Sequence, residues 1–240
     1  MNINIDDSKS VQTIVDKISE HWFDPKGVYF QLKANGKTNS PDFWDITKRM
    51  LADVSESLGQ TPEQFLDTWN NRCVIHSVKI MGYHCTRHSN KEVFAEKGIL
   101  PLSDETIKIF EDKNKVEAIR MWEYRKQRSP GPFLLLSYRD ARNPNNHFLT
   151  KGPEILLACT GYQVNADTSK SVPLIIHCAI PYSILPDKDY YVYCVLKAYF
   201  NFLDPEDDSN NLFEGYSIDL KGNGLDPRYV ARIEEIYAAI

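Results

Sequence analysis

A chain of 240 residues with 42% hydrophobic and 12% aromatic side chains has an ordinary globular composition, and a substantial core is expected. Its net charge of −5 argues against broad nucleic-acid binding, which needs a basic surface. No apolar run approaches the roughly 20 residues of a membrane helix, the acidic opening Met1–Asp7 lacks a signal peptide's basic-then-apolar order, and five cysteines without a Cys-x-x-Cys pair point to reduced thiols; a cytoplasmic protein with no membrane partner is expected.

Val11, Ile14, Val15, Ile18 and Trp22 fall at helical spacing and predict an amphipathic first helix. Val28, Phe30 and Leu32 alternate with Tyr29 and Gln31, which reads as a strand ending at Asn35-Gly36. A second helix carries Phe43, Thr47, Met50, Leu51, Val54 and Leu58 and stops at Gly59. Thr61-Pro62-Glu63-Gln64 supplies an N-cap, a first-turn proline and a capping-box Gln for a third helix, with Phe65, Leu66 and Trp69 on its buried side. Residues 1–70 are therefore expected to form a helical layer packed on a core domain of residues 71–240.

Within that domain Val74–Thr86 reads as a strand, Asn90–Lys97 as a helix closed by Gly98, and Asp104–Arg128 as a long helix broken by Pro130-Gly131-Pro132. Phe133–Tyr138 is a compact apolar strand, and Pro153–Thr160 a short helix. Leu174–Ile180 and Tyr190–Tyr199 read as strands rich in β-branched or aromatic residues. Asp204–Asn211 is an acidic loop, Tyr216–Leu220 a last strand and Pro227–Ala239 a closing helix. Helices grouped early and strands that mostly follow one another argue for an α+β fold.

Gly82-Tyr83-His84-Cys85-Thr86-Arg87 is the most informative stretch. Residues two apart in a strand share a face, so Gly82, His84 and Thr86 line up while Tyr83 and Cys85 point the other way. A bare glycine beside a His and a hydroxyl offers a flat ligand access to the backbone and two polar groups. The same spacing opposes a Cys85 nucleophile with His84 as base, because adjacent strand residues face apart. His84-Cys85-x-x-His88 has too few companions for a four-ligand zinc site, and no phosphate-binding glycine loop is present.

This strand, the Gly98–Ser103 segment behind it (Gly-Ile-Leu-Pro-Leu-Ser) and the strand-rich C-terminal half resemble the ADP-ribosyltransferase-like superfamily of His-Tyr-Glu type; the opening also resembles a group of uncharacterised bacterial proteins. The resemblance covers roughly residues 74–240 and implies a split antiparallel β core. It implies NAD as substrate, cleavage of the nicotinamide–ribose bond, and transfer of ADP-ribose to a protein, a nucleic acid or water, in the setting of a toxin or defence effector. Carried over, His84 holds a ribose hydroxyl, Gly82 or Tyr83 backbone groups hold the nicotinamide amide, Thr86 supports that edge, and Tyr138 stacks on the nicotinamide ring. Glu214 takes the late catalytic position, with Glu206 and Glu154 as competitors. Arg87, Arg139 or Arg142 supplies a fork for the pyrophosphate. A carboxylate suits this chemistry because bond cleavage builds positive charge on the sugar, and a carboxylate stabilises that charge most in the transition state. The chain lacks the Glu-x-Glu or Gln-x-Glu pair of many arginine-modifying members. A non-catalytic module on the same fold, binding a nucleotide or a protein, is the competing expectation. Its counterpart at His84 is a core histidine bonded to a neighbouring carbonyl, and at Tyr138 simple strand-end packing.

Overall fold

The computed structural model describes residues 1–35, 43–104, 115–128, 130–150, 171–205 and 217–236. They form a mixed helical and antiparallel-sheet protein of the α+β class, divided into two compact units. The first comprises residues 1–80 and 181–216, the second residues 81–180 and 217–240. Residues 181–216, within the expected 71–240 domain, thus fall in the same unit as the N-terminal helices.

The first unit is built on helices α1 (Ser8–Ser19), α2 (Pro25–Ala34), α3 (Phe43–Ser57), α4 (Pro62–Ile75) and α9 (Lys188–Leu203). As expected, Val11, Ile14, Val15 and Ile18 form the buried stripe of α1. The capping box of α4 is complete: Gln64 N donates to Thr61 Oγ1 at 3.3 Å and Thr61 N to Gln64 Oε1 at 3.0 Å. A short strand β1 (Asn2–Ile3) pairs in parallel with Lys79 and Ile80, the first two residues of β2 (Lys79–His88).

Two segments of this unit overturn the expected strands. Val28–Leu32 lies in α2, started by the Asp24 side chain accepting from Lys26 N and by Pro25 in the first turn. Tyr190–Tyr199 lies in α9, which packs against α1, α2, α3 and α4 and is buried nearly all round: Tyr191, Val192, Tyr193, Cys194, Val195, Leu196, Ala198, Tyr199 and Phe200 are buried. A helix surrounded by partners has no polar face, so its 3.6-residue period vanishes and its composition mimics a buried strand.

The second unit is a sheet with the order β5-β3-β2-β4-β6, where β3 is Phe133–Leu135, β4 Val172–Pro181, β5 Ser217–Asp219 and β6 Val230–Glu235. Helices α5 (Glu92–Lys97), α6 (Lys115–Arg128), α7 (Tyr138–Ala141) and α8 (His147–Thr150) complete its described elements. Gly98 closes α5 as expected, its N–H donating to Phe94 O. The expected closing helix from Pro227 is instead one 3₁₀ turn, Pro227–Tyr229, followed by β6. Asp226-Pro227 does cap a turn, but Val230–Glu235 pairs antiparallel with β4, and that ladder wins over local propensity. The expected strand Phe133–Tyr138 ends at Leu135: Ser137 Oγ accepts from Asp140 N at 3.1 Å and starts α7 at Tyr138. The expected helix Pro153–Thr160 lies outside the described residues.

Candidate functional site

Strand alternation sorts β2 between two faces of the sheet. Tyr83 and Cys85 join Ala141, Leu149 and Ile175 in a buried cluster, with Met81, Leu135, Tyr138, Phe148 and Ile236 packed against it. The Cys85 thiol lies 3.7 Å from Ala141 O, and burial pushes its pKa up to about 12, so it is no nucleophile. Gly82, His84 and Thr86 face the other way.

The space expected over Gly82 is filled. A Cβ there would meet Leu134 Cβ at 3.1 Å and Ile180 Cδ1 at 3.3 Å, so this glycine serves close packing between strands rather than ligand approach. His84 is half-buried, with Nδ1 2.9 Å from Phe133 O. A carbonyl only accepts, which assigns the proton to Nδ1 and leaves the Nε2 lone pair. Burial lowers the His84 pKa against the smaller opposing effect of that bond. Thr86 is buried. Arg87 is committed to structure: its Nη1 donates to Leu149 O at 2.8 Å and its Nη2 to Ser171 O at 2.6 Å, with Nε 3.3 Å from Ser171 Oγ. Those bonds satisfy the guanidinium donors expected to fork a pyrophosphate.

His84 therefore predicts a pH effect on stability. Between its lowered folded value and 6.5 the unfolded chain binds a proton that the folded chain does not, so stability falls as pH drops below 6.5. His84→Asn keeps a donor for Phe133 O and removes the titration. Urea denaturation between pH 5 and 7.5 should show a flatter pH dependence for this variant, and parallel curves for the two proteins would exclude the effect.

On the Tyr83 face the structure assembles a cluster in which, of the residues expected to act, Tyr83, Tyr138 and Arg142 have a part. The β4–β6 register sets Glu234 opposite Ile175 and Arg232 opposite His177. Ile175 and His177, two apart on β4, share a face, so the side chains of His177, Arg232 and Glu234 converge. Tyr138 reaches them from α7, its hydroxyl 3.0 Å from Glu234 Oε1 and 2.9 Å from Oε2, so one proton is shared between both oxygens. His177 Nε2 lies 2.8 Å from Glu234 Oε2. Arg232 Nη2 is 3.2 Å from Oε2, and Arg142 Nε is 3.7 Å from Oε1. The rings of Tyr83, Tyr138 and His177 pack mutually, with centroids 5.2–5.3 Å apart.

Burial disfavours ionisation of Glu234, but the hydrogen bonds from His177 and Tyr138, with the charges of Arg142 and Arg232, together outweigh it and hold the carboxyl below its usual range. Burial, then the bond to Glu234, raises the Tyr138 pKa and keeps the phenol protonated as a donor. Side-chain exposure is 11% for Glu234 and 13% for His177, against 54% for Arg142 and 62% for Arg232. The result is a fixed carboxylate beside aromatic rings, with two guanidinium groups on its solvent side. It can stabilise a nearby developing cation, and the guanidinium groups can hold an anion.

His84 and Tyr138 are thus on opposite faces of the sheet and are not brought together. Glu214, Glu206 and Glu154 lie outside the described residues. His177, Arg232 and Glu234 are not among the residues expected from the sequence. A lone His within the apolar run Leu174–Ile180 is a usable signal; Glu234 is hidden by reading Pro227 as the first turn of a helix. Among the described residues no group of three or more His, Cys, Asp or Glu is placed to hold a metal ion, and no helix is long and apolar enough to cross a membrane. Comparison of the chain with protein-family models, with curated proteins and with solved structures finds no match.

Proposed function

We propose that the protein is an ADP-ribosyltransferase-like enzyme that cleaves the nicotinamide–ribose bond of NAD, with Glu234 as its late-strand carboxylate. The observation that carries this reading is the Glu234 carboxylate itself: on the last described strand, held ionised and pinned by Tyr138 and His177. Cleavage sends the bonding electron pair to the nicotinamide nitrogen and leaves positive charge on the ribose, which water or a nucleophile on a target molecule then captures. A carboxylate already fixed and desolvated stabilises that charge without reorganising as the bond breaks. Arg142 and Arg232 are the cations available for the pyrophosphate, and the Tyr138 ring, with the Arg142 guanidinium carbon 5.8 Å from its centroid, is the aromatic group beside them. In this reading Tyr138 acts through its hydroxyl on Glu234 as well as through its ring, and His84 has a structural role.

A second reading, a non-catalytic module binding a nucleotide or a protein, is favoured by the commitment of His84 to Phe133 O and of Arg87 to Leu149 and Ser171. Incubating the pure protein with NAD and measuring free nicotinamide separates the two. Release above a no-protein control is the expected result. Saturable NAD binding without release would favour the module.

A further inference from the structure

We propose that His177 is a positioning residue that, with Arg232, locks Oε2 of Glu234 and leaves Oε1 as the oxygen offered to substrate; this rests on the reading of Glu234 as the catalytic carboxylate. Among the described residues, four side chains face the carboxylate: Tyr138 from α7, Arg142 immediately after that helix, His177 from β4 and Arg232 from Glu234's own strand. Their distribution is unequal. Oε2 is hydrogen-bonded to His177 Nε2 at 2.8 Å and accepts a share of the Tyr138 proton at 2.9 Å, with the Arg232 guanidinium in ion-pair contact at 3.2 Å. Among the described residues, Oε1 has only its share of that proton at 3.0 Å and the Arg142 charge at 3.7 Å, beyond hydrogen-bond reach.

A carboxylate oxygen has two lone pairs; His177 and Tyr138 engage both on Oε2, while among the described residues Tyr138 alone is hydrogen-bonded to Oε1, which keeps acceptor capacity. The His177 ring is itself braced edge-on by Tyr83, at 84° between planes, and packed by Tyr138. Its bond to Oε2 therefore fixes the rotation of the carboxylate, and with it the direction in which Oε1 points. Losing that bond should misplace a group needed in the transition state more than one needed for binding.

The test uses the full chain, with ¹³C-labelled glutamate to follow the Glu234 carboxyl by NMR and NAD as the turnover probe. His177→Ala should raise the carboxyl titration midpoint and lower kcat for nicotinamide release about tenfold to a hundredfold, with KM within about twofold. His177→Gln, whose amide nitrogen reaches the Nε2 position, should restore both. An unchanged Glu234 titration in His177→Ala, or a Gln variant no better than Ala, would overturn the proposal. Should His177→Ala not fold, Arg232→Gln on the exposed side must raise the midpoint, and an unmoved midpoint there counts equally against it. Absence of NAD turnover in the unmodified protein would sink the enzymatic reading alone, because the titration still judges whether His177 holds Glu234.

Discussion

Glu234→Gln is expected to reduce nicotinamide release by about a hundredfold to a thousandfold while NAD affinity changes by less than about tenfold. The amide keeps the side chain's shape but loses the charge that opposes the cationic ribose, so the deficit falls on the transition state. The substitution also turns one acceptor into a donor facing the His177 and Tyr138 donors, which costs on the order of 1–3 kcal/mol of stability. Activity is therefore compared well below the variant's own Tm. The pH dependence supplies a second readout. The folded-state pKa of Glu234 is depressed below 4.5, so its stabilisation is present above that value and lost as pH falls through the folded value. Glu234→Gln should remove that part of the acid sensitivity. Activity that survives in Glu234→Gln but disappears in Glu214→Gln would return the catalytic role to Glu214, and the same comparison extends to Glu206 and Glu154.

How far the sequence reveals this arrangement depends on how many sides of each element are buried. The stripe of α1 and the capping box of α4 are legible because one face of each helix meets solvent and the cap is local chemistry. The alternation of β2 is legible because residues two apart on any strand share a face, and it places Cys85 among packed side chains. Helix α9 is unreadable because partners on all sides erase its period. Strand β6 is unreadable because its conformation is set by the ladder to β4, some fifty residues earlier, while its own opening Asp226-Pro227 signals a helical turn. That second failure hides the candidate site. Glu234 meets His177 and Tyr138 only through the β4–β6 register and the turn at Ser137, both of them tertiary facts. His84, the most conspicuous residue in the sequence, sits on the face away from the carboxylate.

Gly98→Ala should destabilise the protein by about 3–5 kcal/mol, near the extreme for a single substitution, or abolish folding. Two costs add. Gly98 has φ 72° and ψ −151°, a region essentially reserved for glycine. A Cβ there would also stand 1.9 Å from Leu225 O, 2.8 Å from Pro227 N and 2.9 Å from the Asp226 carbonyl carbon. These are backbone atoms, which cannot swing aside as the end of a flexible side chain would. Leu225 O, the nearest of them, belongs to the bridge in which Ile99 N donates to Leu225 O at 2.9 Å and Leu225 N to Ile99 O at 2.7 Å. That bridge fixes the chain immediately before Pro227–Tyr229 and β6, the strand carrying Arg232 and Glu234, so any activity of the cluster should be lost together with stability. Gly59 is the internal control. Its φ is 65°, yet an added Cβ meets nothing within 4 Å, so Gly59→Ala bears the left-handed backbone cost alone, about 1–2 kcal/mol. Urea denaturation of the two variants separates strain from collision, because the midpoint shift of Gly98→Ala should clearly exceed that of Gly59→Ala at equal slope. Equal shifts would mean that the contact between Gly98 and the Leu225–Pro227 backbone is looser than the structure has it.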